Sequence, residues 1–170
     1  MWLEFADGKR WVVDYRPRTP WTWFADQEVV VTGECYEPFG QAIGANHFRV
    51  DELRFATPPA RGTVPVLALG AARKLRGKLE ERGFPAGSKL AGSSERVFVE
   101  DGGTTYGIAG VENDAWPDAG KPVRVTVREV TPDMAYMAQT GGPTIWIFAT
   151  AAHDAEDDPR HAPRIIRCPD

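Results

Sequence analysis

The residues best equipped for chemistry fall in one run, RPRTPWTWF at 16–24, where Arg16 and Arg18 precede Trp21, Trp23 and Phe24. Indole faces alternating with guanidinium groups suit a surface on which bases or sugars stack, at about 1–3 kcal/mol per stacked base. The same residues suit an interior role, the rings filling the end of a small sheet-built core while the arginines cover ring faces or pair with carboxylates. A cation over a ring contributes about 0.5–1 kcal/mol at exposed sites. Trp11, beside Lys9 and Arg10, and Tyr106 offer the same two uses.

A second feature is electrostatic. Residues 57–90 carry seven Lys/Arg against two Glu, and Arg73, Lys74, Arg76 and Lys78 make a short basic strip, whereas 91–135 carry four Lys/Arg against eight Asp/Glu. The strip would attract a single-stranded nucleic acid. The whole chain has a formal net charge of −4, however, and affinity for a polyanion rests mainly on neutralising its phosphates, so nucleic acid is disfavoured as a partner.

Other candidates for chemistry are thinner. His153, Asp154, Glu156, Asp157, Asp158 and His161 are metal-ligand types, but their spacing matches no calcium loop, and the segment reads as an exposed acidic connection. GSKLAGSSE at 87–95 lacks the G-x-x-x-x-G-K-[ST] order of a phosphate loop and reads as turn, and G-x-S-x-G, H-E-x-x-H and G-x-G-x-x-G are missing. His47 opens a strand-like segment and reads as a surface or edge residue that alternation does not bring to Cys35. No catalytic residue, metal or cofactor is therefore expected, and the chain reads as non-enzymatic. Two cysteines make no disulfide framework, so Cys35 and Cys168 read as reduced thiols of a cytoplasmic protein. MWLEFADGKRW has no basic-then-apolar leader pattern, and no apolar run approaches the roughly 20 residues of a membrane span.

The elements that must position these residues are strands. Seventeen glycines and fourteen prolines in 170 residues favour a loop-rich β chain. FADGKRWVVDY (5–15) and VEDGGTTYGIAGV (99–111) are strand–turn–strand patterns whose Asp-Gly turns supply positive φ; with a one-residue offset at the turn, Trp11 falls on Tyr106. EVVVTGECYEP (28–38) and PVRVTVREVTP (122–132) follow, each ending at a proline, and then come HFRVDELRF (47–55) and TIWIFATA (144–151). RKLRGKLEERG (73–83) alternates Leu75, Gly77 and Leu79 with charged residues, a strand period; its helix formers also permit a helix, against which Gly77 counts.

The order LRGKLEE, RVFVEDGGTTYGIAG, GKPVRVTVREV, TIWIF resembles the oligonucleotide/oligosaccharide-binding (OB) fold, a five-stranded Greek-key barrel. The resemblance implies a mostly β, all-β fold of two tandem OB-like barrels with short helical or irregular links. On this resemblance residues 1–56 would form a first barrel without its own first strand, 57–72 a linker or completing strand, 73–151 a second barrel, and 152–170 an acidic connection with a C-terminal segment. An open sheet edge needs a cover, and TVPVLAL (63–69) or RIIRC (164–168) could supply it, the former favoured as longer and more apolar. Trp21, Trp23 and Phe24 then plug one barrel end, with Trp116 in the matching link. The expected function is a cytoplasmic binding or adaptor module that meets a protein partner through barrel faces or strand edges. The alternative is single-stranded nucleic acid or oligosaccharide on Trp11, Arg16, Arg18, Trp21, Trp23, Tyr106, Arg73, Lys74, Arg76 and Lys78.

Overall fold

A computed structural model describes residues 1–13, 20–38, 45–112, 116–136, 142–155, 157 and 164–168. The expected roles of Arg16 and Arg18 lie outside the described residues. The chain is mostly β: β1 (Trp2–Glu4), β2 (Arg10–Val12), a 3-10 turn (Trp21–Phe24), β3 (Val29–Glu37), β4 (His47–Phe55), β5 (Val66–Gly83), β6 (Ser94–Glu100), β7 (Thr105–Val111), β8 (Pro122–Pro132), β9 (Thr144–Ala152) and β10 (Arg164–Ile165). Among the described residues no helix is long and apolar enough to cross a membrane.

Local chemistry explains the main elements. The β1–β2 hairpin turns at Gly8, whose φ is 81°, and the Asp7 carboxylate accepts from the Lys9 amide at 3.0 Å. β6 and β7 turn at Gly103, with a φ of 92°. In β5, Leu75, Gly77 and Leu79 are buried while Arg76 and Lys78 are exposed, the period of a strand. Gly77 decides against a helix here: a Cβ on it would lie 2.1 Å from the Val99 carbonyl oxygen, so the bare backbone lets β6 approach.

All strands join in one mixed sheet. Five of them form a ring of ladders. β5 pairs antiparallel with β6, β6 with β7, β7 parallel with β9, and β9 antiparallel with β8. β8 then returns to β5, from Val66↔Pro132 to Lys78↔Pro122. The remaining strands pair in the same order without closing: β1 antiparallel with β2, β2 parallel with β4, β4 antiparallel with β3, and β3 antiparallel with β10. Trp11 precedes the parallel pair Val12↔His47 as Tyr106 precedes Gly107↔Thr144. Among the described residues no ladder joins β1 to β3 or β10.

Two cores share the β8–β9 wall. Val125, Val127, Ile145 and Ile147 point into the ring with Leu75, Phe98 and Tyr106. Val130 and Trp146 belong instead to the other cluster, with Trp11, Trp21, Phe24, Phe48, Leu53 and Leu69. Alternation along β9 thus feeds both cores, each fully buried Val, Leu, Ile or Phe contributing about 1.5–3 kcal/mol.

Four expectations are corrected. Cys35 and Cys168 form a disulfide across 133 residues, because β10 returns along β3 and brings the two thiols together. Beside β3 lies the C-terminal Arg164–Ile165; the apolar segment at 66–69 pairs with β4 through Leu53↔Leu69 and Arg54↔Ala68, on that strand's other edge. His47 is 1% exposed, since pairing with β2 and β3 covers it on both sides. Trp116 is exposed under the Arg96 guanidinium, 4.9 Å from its ring, so it lies on the surface and plugs nothing.

Candidate functional site

A cleft lies between β1 and β3, which no ladder joins among the described residues. It has a volume of about 850 Å³, with β1 on one side, Val29 and Val31 of β3 on the other, and Trp21, Phe24, Val50 and Leu53 at its base. Its polar rim follows from the pairing. The Glu28 carbonyl accepts from the Ala56 amide beyond β4, so by alternation the peptide groups of Val29 and Val31 point away from β4, toward the cleft. Farther along the same edge the Cys35 carbonyl accepts from the Ile166 amide at 3.1 Å. One edge is thus occupied by an extended segment at one end and, among the described residues, has no ladder partner at the other.

The cleft's electrostatics are simple. Glu4 is held by Arg10 at 2.8 Å, which leaves Asp26 and Glu28 as the acidic rim. Asp26 has a φ of 57°, a left-handed conformation that Asp tolerates better than most residues. A second, smaller hollow of about 360 Å³ lies beside the disulfide, lined by Phe5, Ala6, Lys9, Trp11 and Phe48.

The aromatic candidates lie mostly in the core. Trp11 is buried and meets Phe5 and Phe48 edge-on. Trp21 is buried beneath Arg128, whose guanidinium carbon lies 4.9 Å from the ring centroid. Trp23 is half-buried edge-on to Trp146. Tyr106 is buried; its hydroxyl donates to Glu100 at 3.1 Å, and Arg73 caps its ring at 5.3 Å. Trp11, Trp21 and Tyr106 are too buried for a base to stack on, whereas Trp23 keeps part of its surface exposed; Trp11, Trp21 and Trp23 serve one core and Tyr106 the other.

The basic strip is largely matched within the chain. Arg73 pairs with Glu129 at 3.2 Å, Lys78 with Glu80 at 2.8 Å, and Lys74 with Asp157, which also meets Arg124 at 3.2 Å. The Lys74 ammonium holds the Asp157 carboxyl below the usual carboxylate range, Arg124 adding to it. Arg76 faces Arg124 across the ladder and has no ion-pair partner among the described residues. In the former metal-ligand cluster, His153 meets Asp101 at 2.8 Å, while Glu156, Asp158 and His161 lie outside the described residues. Among the described residues no three His, Cys, Asp or Glu converge on a cation position.

Sequence reasoning missed the cleft itself and the buried Arg128. That side chain donates to the carbonyls of Val50 at 3.0 Å and Gly70 at 2.6 Å, joining β4 to β5 from β8. The missing first strand was the only signal for the cleft, and nothing in VRVTVREV separates Arg128 from the outward Arg124. Comparisons with family models, with curated proteins and with solved structures gave no match.

Proposed function

We propose that this chain is a non-enzymatic binding module that takes up an extended segment of a partner protein by strand addition between β1 and β3. The observation that carries the reading is the contrast in ladder closure: the same pairing order closes around β5–β9 and stays open at β1 and β3, over an apolar base. In such recognition main-chain hydrogen bonds supply affinity, and pockets for alternate side chains supply specificity. The occupant is an antiparallel neighbour of β3, as β10 already is. It alternates apolar residues toward Trp21, Phe24 and Leu53, and it carries a Lys or Arg to meet Asp26 and Glu28.

The architecture supports reading both regions as OB-like barrels, the first incomplete. What supports this reading is the ring's order, first, second, third, fifth, fourth and back to the first, with the third and fifth strands parallel, which fits a five-stranded Greek-key barrel. The cytoplasm remains the proposed location, where reducing conditions would favour the two thiols over the Cys35–Cys168 bond. Nucleic acid or oligosaccharide is the weaker reading, since Arg73, Lys74 and Lys78 are engaged with this chain's own carboxylates.

Selection from a displayed library of random ten-residue peptides tests the proposal. Expected are sequences of alternating apolar residues with a basic residue, whose binding is lost in Val31→Pro, because proline removes the amide on the open edge. Ring amides in β5–β9 should keep their exchange protection in that variant. Failure to enrich any sequence, or binding unchanged by Val31→Pro, would sink the reading.

A further inference from the structure

We infer that the Cys35–Cys168 disulfide is a redox latch that decides how much of the β3 edge a partner strand can reach; the inference rests on the strand-addition reading above. With the bond formed, the C-terminal segment lies along the far end of that edge, Arg164 opposite Glu37 and Ile165 opposite Tyr36, with Ile166 bonded to Cys35. This seat is shallow. The ladder is two residues long, and Ile165 and Ile166 are 48% and 39% exposed. Little apolar surface is buried to hold the segment in place once the covalent tie is gone.

The two sulfurs are unequally placed. Cys35 is 1% exposed, whereas Cys168 lies at the surface. A dithiol reductant therefore attacks Cys168 Sγ with one thiolate. The Sγ–Sγ bond breaks, and its electron pair leaves on Cys35 Sγ, which takes a proton. The reductant's second thiolate then displaces Cys168, which is also protonated, and the reductant departs as its own disulfide. The disulfide takes up two electrons in all, one per sulfur, and the dithiol supplies them. Such dithiols are kept reduced in a cytoplasm, where the latch would stand open; oxidising conditions would shut it.

Once released, 164–168 uncovers Cys35, Tyr36 and Glu37 on the edge that has no ladder partner at Val29 and Val31 among the described residues. A docking strand then gains three more positions, and the hollow lined by Phe5, Trp11 and Phe48 opens to its side chains. The closed ring needs none of these contacts, so the switch acts on the first region alone.

Amide exchange and limited trypsin digestion read the latch without any partner. The full chain is compared oxidised, reduced by dithiothreitol, and as Cys168→Ser. Reduction and the substitution should each speed exchange at Ile166 and cleavage after Arg164 and Arg167 by about tenfold or more, while the amides of β5–β9 stay protected. No change at the segment overturns the latch. Collapse of the β5–β9 protection altogether overturns it too, since the native ring would then depend on the bond; a uniform acceleration that leaves those amides protected is only the expected loss of global stability. Peptides selected as above should bind the reduced chain about tenfold more tightly; equal affinity with the segment released overturns the regulation and leaves strand addition standing. Failure to select any peptide is instead the failure of strand addition, and the exchange result separates the two.

Discussion

The two regions of this sheet follow one order of pairing and reach different ends. In the second, β5 is 18 residues long: its first part meets β4 and β8 and its later part β6 and β8, so a single strand closes the ring. In the first, the place beside β3 goes to β10, only two residues long and drawn from a segment more than a hundred residues later. Closure here depends on a long first strand continuous with its hairpin. Where that strand is borrowed and short, the region keeps an edge, a cleft and a covalent tie in place of a ladder.

The largest expected effect separates the regions by their cores. Phe98 is fully buried in the ring, and Phe98→Ala should cost about 3–5 kcal/mol through lost burial and the cavity left behind. Leu3, on β1 at the cleft, is half-buried, and Leu3→Ala should cost about 1 kcal/mol. Urea midpoints of both variants at constant slope measure the gap; equal costs would mean that the first region is as closed as the second.

Next comes the covalent tie. Cys168→Ser should lower global stability by about 2–4 kcal/mol, because the bond restricts an unfolded loop spanning most of the chain. The loss appears in the unfolding equilibrium even though native contacts change only around β10. A midpoint unmoved by the substitution would show that the bond does not form in solution.

How much of this was readable from residues alone depends on the range of the interactions. Strand periodicity in LRGKL, with Gly77 against a helix, placed β5. The Asp-Gly turns placed both hairpins, and the register matches the alignment of Trp11 with Tyr106. These are local signals, set by sterics and alternation. The disulfide, the seat of β10 and the burial of His47 depend on contacts far apart in sequence. No local pattern marks a two-residue strand as a partner for one more than a hundred residues earlier. The tryptophans illustrate both cases: Trp21 went into the core as its setting suggested, while Trp116, in the matching link, stayed outside. The candidate site was the least legible part, since a cleft made by a missing strand has no residues of its own.

A smaller effect probes the wall between the regions. A Cβ on Gly110 would lie 2.4 Å from the Trp146 indole, and that ring is the face β9 turns to the first core. Gly110→Ala should cost about 1–3 kcal/mol by overpacking, with the loss of exchange protection larger around Trp23, which meets Trp146 edge-on, than at Phe98. Loss confined to the ring would mean that the indole yields into its own side and that the two cores are packed independently.

The smallest expected effect concerns the link between regions and is a matter of pH. Asp133, buried at the end of β8, accepts from the amides of Gly62 and of Ala135, the latter at 2.9 Å, while its own amide donates to the Pro65 carbonyl at 3.0 Å. The Gly62 and Ala135 hydrogen bonds, helped by Arg61, hold its carboxyl below the usual carboxylate range. A depressed folded-state value means that the ionised group stabilises the fold above the ordinary carboxylate range. That contribution disappears as pH falls through the lowered value. Asp157, Glu80 and Asp118 are depressed by their own cationic neighbours, and Asp7 first by the backbone amide of Lys9 and then by its ammonium, so acid weakens the wild-type chain at several places. The informative quantity is therefore a difference. Asp133→Asn keeps one acceptor without the charge, and its thermal midpoint should fall less between pH 6 and pH 3 than that of the wild type. The excess loss in the wild type should appear first as faster exchange at Gly62 and Ala135. Parallel pH profiles would show that the carboxylate's charge adds nothing to the joint, and that the link from β4 to β5 is held by the ladders and Arg128 alone.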